Sequence, residues 1–448
     1  MVATENRIQW CEATLKDVCI RITDGAHLSP KSVDNGMPMA SVKDLTSYGI
    51  NIDSCRQITK EDYDKLVRQG CQPLKGDVLI AKDGATALDT VCVVKKTLDL
   101  VLLSSVAILR PDRAKIDSLF LRYYLDSETT RSYMKGAYTT GAAIPRVVLK
   151  DFKLAYIKFG SLSTQRKIAS ILSAYDDLIE NNLRRIKILE EMAQNLYREW
   201  FVKFRFPGHE QARFVESPLG RIPEGWEVKA LGELILEHIG GGWGSDVEND
   251  KHTEPAWVIR GTDIPEGRVC NFSKVPFRYH SMSNLKSRRL KLGDIVFEVS
   301  GGSKGQPLGR TLFISSELLD AFHGDTVICA SFCKRIESDS KRYASELLYL
   351  SLLEAYDSGE IEQYQVQSTG ISNFKWSDYL VKVCRCVPPV ALQLSFCALI
   401  APLFSKVAII GRTNTNLRRT REMLLPKLIS GEVDVSDLDI TIPEEAVA

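Results

Sequence analysis

The sequence predicts an α/β protein with an internal pseudo-two-fold repeat, in which two long antiparallel coiled-coil helices separate two α/β domains. Two observations predict this fold. Short motifs recur in the second half of the chain at a nearly constant offset, and two long stretches carry apolar residues at heptad spacing. Each half mixes short alternating strands with helical stretches, which is typical of α/β or α+β domains.

Four motifs occur in both halves in the same order. The pairs are Trp10 with Trp226 and Leu15 with Leu231 (offset 216), residues 74–79 with 291–296 (near 217), and Thr140-Gly141 with Thr369-Gly370 (229). The fourth pair consists of the polar, Gly-containing loops that follow the matched strands, at 82–86 and 300–306, and each half finally enters a long helix. Such order and spacing are hard to obtain by chance, so the chain is interpreted as a duplication.

The repeat and the helices together predict the domain boundaries. We expect a first domain at 1–161, a central spacer helix at 162–205, a linker with the second domain at 206–387, a distal spacer helix at 388–430 and an acidic C-terminal tail at 431–448. The first helix is expected to begin at Ser163 as N-cap and to run to about Phe204, because this stretch contains neither Pro nor Gly.

The two predicted helices have complementary heptad patterns. In an antiparallel arrangement they pair Ile168 with Leu428, Ile179 with Leu417, Trp200 with Phe396, Arg421 with Tyr175, and Asn182 with Asn414. A buried Asn is costly unless partnered, so a matched Asn pair would fix the register. We expect Pro426 to kink or end the second helix; the alternative is that each helix packs on a different neighbour.

Composition indicates a soluble cytoplasmic protein. The net charge is +1 and the pI about 7.5, which counts against a simple DNA-coating protein but permits local basic patches. The eleven cysteines lack paired CxxC spacing and are expected to be reduced thiols without a metal site. No signal peptide and no 18-residue apolar stretch able to span a bilayer is predicted, so no membrane partner is expected.

Motifs of enzymes that act on DNA are missing from the sequence. It contains no phosphate loop for ATP, no polar residue followed by Pro-Pro-aromatic as in amino-methyltransferases, no Rossmann glycine fingerprint and no HExxH. The chain is therefore predicted to be non-catalytic and to need no cofactor of its own. Carboxylates brought together in three dimensions could still form a nuclease centre.

Three segments resemble the specificity subunits of type I restriction-modification enzymes. They are the join at 208–228, with Gly208-His209-Glu210 and Ser217-Pro218-Leu219-Gly220, the first-helix stretch from Asn182 to Phe201, and Leu424–Val433 in the second helix. The resemblance covers nearly the whole chain. It implies that each domain is a target recognition domain reading one half of a bipartite duplex DNA sequence, and that the helices are spacers.

The resemblance also implies the partners. The helices of such subunits bind two modification (methyltransferase) subunits, and restriction (motor-nuclease) subunits join for cleavage. S-adenosylmethionine, ATP and Mg²⁺ are then expected in those partner subunits and not in this chain.

Candidate DNA-binding residues lie in polar loops at matching places of the repeat. The loop at 24–31 resembles the family's DNA-facing loop, 240–245 occupies its place in the second half with little identity, and the Thr-Gly loops supply small residues and hydrogen-bond donors. The candidates are Asp24, Gly25, His27, Lys31, Lys82, Thr139, Thr140, Arg146, Trp243, Ser245, Arg260, Lys304, Gln306, Arg310, Thr369, Asn373 and Lys375.

Two other functions remain open at this stage. One is an adaptor that holds partner enzymes apart without reading DNA, and the other is a cryptic nuclease. The target sequence itself cannot be read from the chain, because recognition loops have no residue-to-base code.

Overall fold

The structure is a computed structural model that describes residues 10–84, 86–140, 146–301, 307–367 and 371–442. The chain divides into two compact units. Unit 1 contains Met1–Glu180 and Leu417–Ala448, and unit 2 contains Asn181–Asn416.

Unit 1 has short strands and short helices before the first long helix. The strands are β1 (Cys11–Thr14), β2 (Cys19–Asp24), β3 (Met37–Ala40), β4 (Leu45–Thr46), β5 (Gly49–Ile50), β6 (Arg56–Ile58), β7 (Val78–Ala81), β8 (Val91–Val93), β9 (Val101–Leu102), β10 (Val106–Pro111), β11 (Thr139–Thr140), β12 (Arg146–Val147) and β13 (Tyr156–Phe159). The helices are α1 (Leu15–Val18), α2 (Lys60–Arg68), α3 (Ser118–Asp126), α4 (Glu128–Tyr138), α5 (Leu149–Leu154) and α6 (Leu162–Tyr197).

The central sheet of unit 1 is antiparallel with strand order β2-β10-β7-β8. A second sheet has the order β6-β3-β9, with β3 parallel to β9, and two-stranded pairs join β1 to β13 and β11 to β12. Strand β7 is fully buried, with the sequence VLIA, because both faces of the central sheet are covered by apolar side chains.

Unit 2 repeats this plan. Its strands are β14 (Phe214–Ser217), β15 (Gly220–Pro223), β16 (Glu227–Ala230), β17 (Ile235–Gly240), β18 (Glu254–Ile259), β19 (Phe277–His280), β20 (Ile295–Glu298), β21 (Ser300–Gly301), β22 (Thr311–Phe313), β23 (Val327–Cys329), β24 (Cys333–Ser338), β25 (Gln365–Gln367), β26 (Ser372–Phe374) and β27 (Cys384–Val387). The helices are α7 (Ile264–Arg268), α8 (Met282–Arg288), α9 (Ser316–Asp320), α10 (Ser345–Asp357), α11 (Trp376–Lys382) and α12 (Val390–Ser430).

The sheets of unit 2 confirm the predicted repeat. The order β17-β24-β20-β22 matches β2-β10-β7-β8, and β19-β18-β23 matches β6-β3-β9, including one parallel pair in each. The pair β16-β27 corresponds to β1-β13, and the hairpin β14-β15 in the linker has no counterpart in the sheets described for unit 1. The predicted fold class of two α/β domains with long helices is therefore confirmed.

A glutamine fixes the start of each long helix in the same way. Gln165 donates from Nε2 to the Gly160 carbonyl (2.9 Å) and the Lys115 carbonyl (3.1 Å), and its Oε1 accepts from the Asp117 amide (2.8 Å). Gln393 makes the three equivalent bonds, to Pro388 (2.8 Å), Arg342 (2.9 Å) and Ala344 (2.9 Å). These buried amides align the two repeats residue by residue.

In unit 2 the predicted helix register is confirmed. The Asn182 side chain donates from Nδ2 to Oδ1 of Asn414 at 2.8 Å, and the two residues are only 4% and 1% exposed. The rings of Trp200 and Phe396 lie 5.4 Å apart. The long helices α6 and α12 therefore pack antiparallel within this unit, as the heptads predicted.

In unit 1 the structure differs from the predicted helices in three details. Ile168 and Leu428 share one core cluster, as the pairing predicts, but α12 runs through Pro426 to Ser430 and does not end at the proline. Arg421 was expected opposite Tyr175, but its guanidinium binds the carboxylate of Asp176, the next residue. Also, the cap of α6 is Ser161 and not Ser163, because Oγ of Ser161 accepts from the Thr164 amide at 3.2 Å.

The Asn pair supports a stability prediction. Replacing Asn182 with Leu removes the bond to Asn414 while Asn414 stays buried, so we expect the free energy of unfolding to fall by about 1–3 kcal/mol. Chemical denaturation measures this loss. The neighbouring variant Asn181→Leu, at an exposed position, is the control, and adding Asn414→Leu to Asn182→Leu should recover part of the loss. Unchanged stability in Asn182→Leu would contradict the register.

The prediction of no long apolar stretch was wrong. Among the described residues one helix, Val390–Ser430, is long and apolar enough to cross a membrane, with a mean hydropathy of 2.0 over 18 residues. One third of that window is buried, and a core helix of a soluble protein meets the same criterion. The apolar residues Phe396 and Ile400 of this helix are fully buried in the core of unit 2.

Candidate nucleic-acid interface

Three chain segments of unit 1 meet at one end of its central sheet. Strand β2 ends at Asp24, strand β7 is followed by Lys82 and Asp83, and Arg146 opens strand β12. Asp83 forms an antiparallel bridge with Arg146, and the Val147 amide donates to the Lys82 carbonyl at 2.9 Å. Candidates distant in sequence are thus brought together.

A chain of alternating charges runs through this site. Asp24 binds Nε2 of His27 at 3.1 Å and Nζ of Lys82 at 3.4 Å. Asp83 binds the same Lys82 Nζ at 3.4 Å and Nε of Arg146 at 3.1 Å. His27 and Arg146 are 69% and 50% exposed, so these two side chains form the accessible ends of the chain of charges.

The buried members of this chain have a different role from the predicted one. Lys82 is 2% exposed and Asp24 is 8% exposed, so neither presents its charge to a duplex in this structure. Instead, the two opposite charges compensate each other, and Lys82 also holds Asp83, which in turn holds Arg146. We interpret Asp24 and Lys82 as residues that position His27 and Arg146.

Gly25 allows the backbone to turn tightly after β2. A Cβ atom at this position would lie 2.1 Å from the Leu102 carbonyl oxygen and 2.5 Å from that of Leu103. The following residue, Ala26, donates its amide to the same Leu102 carbonyl at 2.7 Å. Only glycine permits this approach, which sets the path of the loop that carries His27.

Unit 2 places Gly241 at the equivalent position, although the loop sequence differs. Its Cβ would lie 2.1 Å from the Cys329 carbonyl oxygen, and the next amide, that of Gly242, donates to Cys329 at 2.9 Å. The two glycines therefore perform the same turn. This geometry supports the equivalence of the 24–31 and 240–245 loops, which share little sequence identity.

Asn373 takes the place of Arg146 in unit 2. It pairs with Ser300 across β21 and β26, its Oδ1 accepts from the Ser300 hydroxyl at 2.8 Å, and the Phe374 amide donates to the Val299 carbonyl at 2.8 Å. Asn373 and Lys375 are exposed. The two units thus present an Arg and an Asn at matching positions.

Trp243 and Ser245 lie in the unit 2 loop and contact strand β19. The Arg278 guanidinium stacks on the Trp243 ring, 4.2 Å from its centroid, and donates to the Trp243 carbonyl at 2.6 Å. Ser245 pairs with Tyr279 through two amide–carbonyl bonds of 2.9 Å. Trp243 remains 43% exposed, so its ring edge is accessible.

Arg260 and Arg310 are engaged within the protein. Arg260 makes two bonds of 2.8 Å to Asp263, and Arg310 binds both carboxylate oxygens of Glu298 at 2.8 and 2.5 Å. Hydrogen bonding to these carboxylates raises the pKa of both guanidinium groups, against the opposite effect of burial. Both arginines therefore support the loops in this structure.

Several candidates lie wholly or partly outside the described residues. Lys304, Gln306 and Thr369 are not described, and for Thr139 and Thr140 only the backbone of β11 is described, paired with β12. Lys31 is exposed in its loop.

Sequence reasoning missed the partner side chains at these sites. Asp83, Glu298 and Ser300 hold the candidate side chains, and Asp83 and Ser300 occupy matching positions of the repeat. Aligning the repeats at Arg146 and Asn373 would have identified these two residues. Within the described ranges, no group of three His, Cys, Asp or Glu side chains is placed to hold a metal ion.

Comparison with known proteins shows which protein family this chain resembles. Residues 8–191 match the family model of the type I restriction modification DNA specificity domain. The chain is 29% identical over 323 residues to the type I restriction enzyme MjaIX specificity subunit of Methanocaldococcus jannaschii, covering 72% of this chain and 70% of that one. It is 33% identical over 162 residues to the MjaVIII specificity subunit of the same organism, covering 36% of each chain.

The fold is shared with a solved structure, the S subunit of a type I restriction-modification system from M. genitalium. The TM-score is 0.53 at 14% sequence identity, covering 96% of this chain and 98% of the other. The first unit is thus a DNA specificity domain, and the same sheet order recurs in the second. Over residues 8–191 the chain therefore matches the DNA specificity domain of type I restriction enzymes, and over 72% of its length it is similar to a specificity subunit of such an enzyme.

Proposed function

We propose that this chain reads a bipartite duplex DNA sequence, with each unit recognising one half-site. The observation that carries this proposal is the matched pair of sites. Both units bring exposed polar side chains together at the same end of the same sheet, by the same glycine turn, while the side chains themselves differ. Equivalent sites with different residues suit two different half-sites.

The exposed residues have the chemistry for base and phosphate contacts. An Arg such as Arg146 can bind guanine through O6 and N7, whereas an Asn such as Asn373 can bind adenine through N6 and N7. His27, Lys31 and Lys375 are suited to phosphate contacts, which set position but carry no sequence information.

The proposed partners are two modification subunits that bind the long helices, with restriction subunits joining for cleavage in the cytoplasm. Large apolar side chains exposed on the helices support binding of other proteins, since such side chains favour burial. Ile188 and Met192 of α6 are 55% and 47% exposed, and Leu394 and Leu399 of α12 are 65% and 50% exposed. S-adenosylmethionine, ATP and Mg²⁺ would act in the partner subunits.

We expect no turnover by the isolated chain. Purified protein should neither methylate nor cleave DNA when only S-adenosylmethionine or Mg²⁺ is added. Turnover under these conditions would contradict the proposal and would indicate a nuclease or methyltransferase centre.

Methylation mapping in cells that express the complex tests the reading function directly. The expected result is a fixed motif of two half-sites separated by a constant gap. Methylation without a fixed bipartite motif would contradict the proposal. In DNA footprinting, protection that depends on the modification subunit and not on this chain would favour a role as adaptor.

Substitutions at the matched positions should act on one half-site each. We expect Arg146→Ala to relax the sequence preference at one half-site and Asn373→Ala at the other, each lowering specific affinity by about 1–3 kcal/mol. Sequencing of methylated sites and binding to half-site duplex variants measure this. Arg68→Ala, at an exposed position of α2, is the control and should leave both preferences unchanged. Loss of preference at both half-sites in either variant would contradict the assignment.

A further inference from the structure

The opposite end of the central sheet of unit 1 holds a cavity of about 600 Å³. We call it the basic groove. Its charged lining consists of five cationic and two carboxylate side chains, an excess of three positive charges: Lys75, Lys95, Lys96, Arg113, Arg166, Asp117 and Asp177. A cavity of this size is typical of small-ligand sites.

Strand directions explain why these residues meet. Val78, at the start of β7, pairs with the end of β8 at Val93 and with Leu109 near the end of β10. The turns next to these three strand ends carry the cations, and α6 adds Arg166. The candidate DNA-reading residues lie beyond the other end of β7, so the basic groove is a separate site.

Arg166 is the least satisfied group in the basic groove. Its Nε atom is buried and has no hydrogen-bond partner in the described part of the chain. Leaving a buried donor of a charged group unpaired is costly, and a bound acceptor would remove the cost. Lys75 and Lys96 are exposed at the rim, and Lys95 binds Asp177 (3.2 Å) and Glu180 (2.9 Å).

The second unit shows that the fold does not need these cations. Because Gln165 and Gln393 make equivalent bonds, Arg166 corresponds to Leu394 and Arg113 to Ser340. The turns that begin at Leu74 and Lys291 also make equivalent bonds, so Lys75 corresponds to Leu292. Val94 exchanges two backbone hydrogen bonds with Gly76 and Asp77, and Ile314 makes the same two bonds with Gly293 and Asp294. Lys95 and Lys96 therefore correspond to Ser315 and Ser316. All five cations have uncharged counterparts in unit 2, so a structural role common to the repeat does not account for them.

We propose that the basic groove binds an oligophosphate group. Clustered Arg and Lys side chains bind phosphate oxygens through charge-assisted hydrogen bonds, and the planar Arg donor group suits several oxygens at once. The apolar residues Ile116 and Leu119 also line the cavity and can accept a nucleoside. The phosphates come from a free nucleotide or from a DNA backbone, which share this chemistry.

The test uses the full chain and inorganic tripolyphosphate as probe. The variant Lys75→Leu/Lys96→Ser/Arg166→Leu introduces the residues that unit 2 has at the matching positions. We expect wild-type protein to bind tripolyphosphate in a calorimetric titration at low salt and the triple variant to bind at least about tenfold more weakly. The control Lys16→Ser/Lys43→Ser/Lys65→Ser removes three exposed cations of the same unit and should bind like the wild type.

Circular dichroism and thermal unfolding show whether the triple variant folds. The single loop variant Lys96→Ser is a second test, and we expect it to reduce the affinity for tripolyphosphate less than the triple variant does. Displacement of tripolyphosphate by ATP would identify a nucleotide, and displacement by a short duplex of unrelated sequence would identify a DNA backbone; both support the proposal. No binding to wild-type protein, or equal affinity in the triple variant and the control, overturns it.

Discussion

Replacing Asp176 with Ala is expected to lower the free energy of unfolding by about 3 kcal/mol. The Asp176 carboxylate binds Arg122 at 2.9 Å and the Tyr123 hydroxyl at 2.7 Å, and it pairs with Arg421. Arg122 is 3% exposed, and without Asp176 its remaining carboxylate partner is Asp126 at 3.4 Å. Burying a poorly compensated charge accounts for the size of the effect, which urea denaturation measures.

The adjacent residue provides a matched control. Asp177 is 64% exposed and pairs with Lys95, so Asp177→Ala should cost at most about 1 kcal/mol. Similar losses in the two variants would mean that the buried ion cluster does not determine the stability of unit 1.

Replacing Gly25 with Ala should abolish reading of one half-site. The added Cβ would lie 2.1 Å from a backbone oxygen, so the loop carrying His27 must move away from Lys82 and Arg146. Because several base and phosphate contacts depend on that loop, we expect affinity for the full target to fall on the order of a hundredfold or more. Binding to duplexes with one half-site scrambled measures which half is lost.

The repeat supplies the comparison for this prediction. Gly241→Ala brings its Cβ to 2.1 Å from the Cys329 oxygen and should abolish reading of the other half-site. Gly136→Ala, in α4 with no atom within 4 Å of the new Cβ, should leave binding intact. If Gly25→Ala and Gly241→Ala impaired the same half-site, the assignment of one half-site to each unit would be wrong.

The long helices and their pairing could be predicted because heptad spacing is a local pattern with a direct geometric meaning. The match of Asn182 with Asn414 required only the assumption of antiparallel packing. The duplication was visible because turn residues and buried strands keep their spacing. The same local reasoning failed for Pro426, where packing of Leu428 in the core of unit 1 accompanies a helix that continues past the proline.

The roles of the candidate cations could not be predicted. Whether a loop Arg or Lys is exposed depends on carboxylates far away in the chain, as Glu298 is for Arg310 and Asp24 for Lys82. Ion pairs between distant segments leave no periodic signal in the sequence. Position in the repeat is the more useful guide, since aligning Arg146 with Asn373 also aligns their partners, Asp83 and Ser300.

The glutamine at the start of each long helix has a consequence for how such a chain can diversify. Because Gln165 and Gln393 make the same three bonds to backbone atoms, the joint between a unit and its helix depends little on the surrounding side chains. A recombination event that exchanges one α/β segment for another would preserve the joint if the glutamine is kept. Such a chain can acquire a new half-site in one genetic step, without compensating changes in its helices.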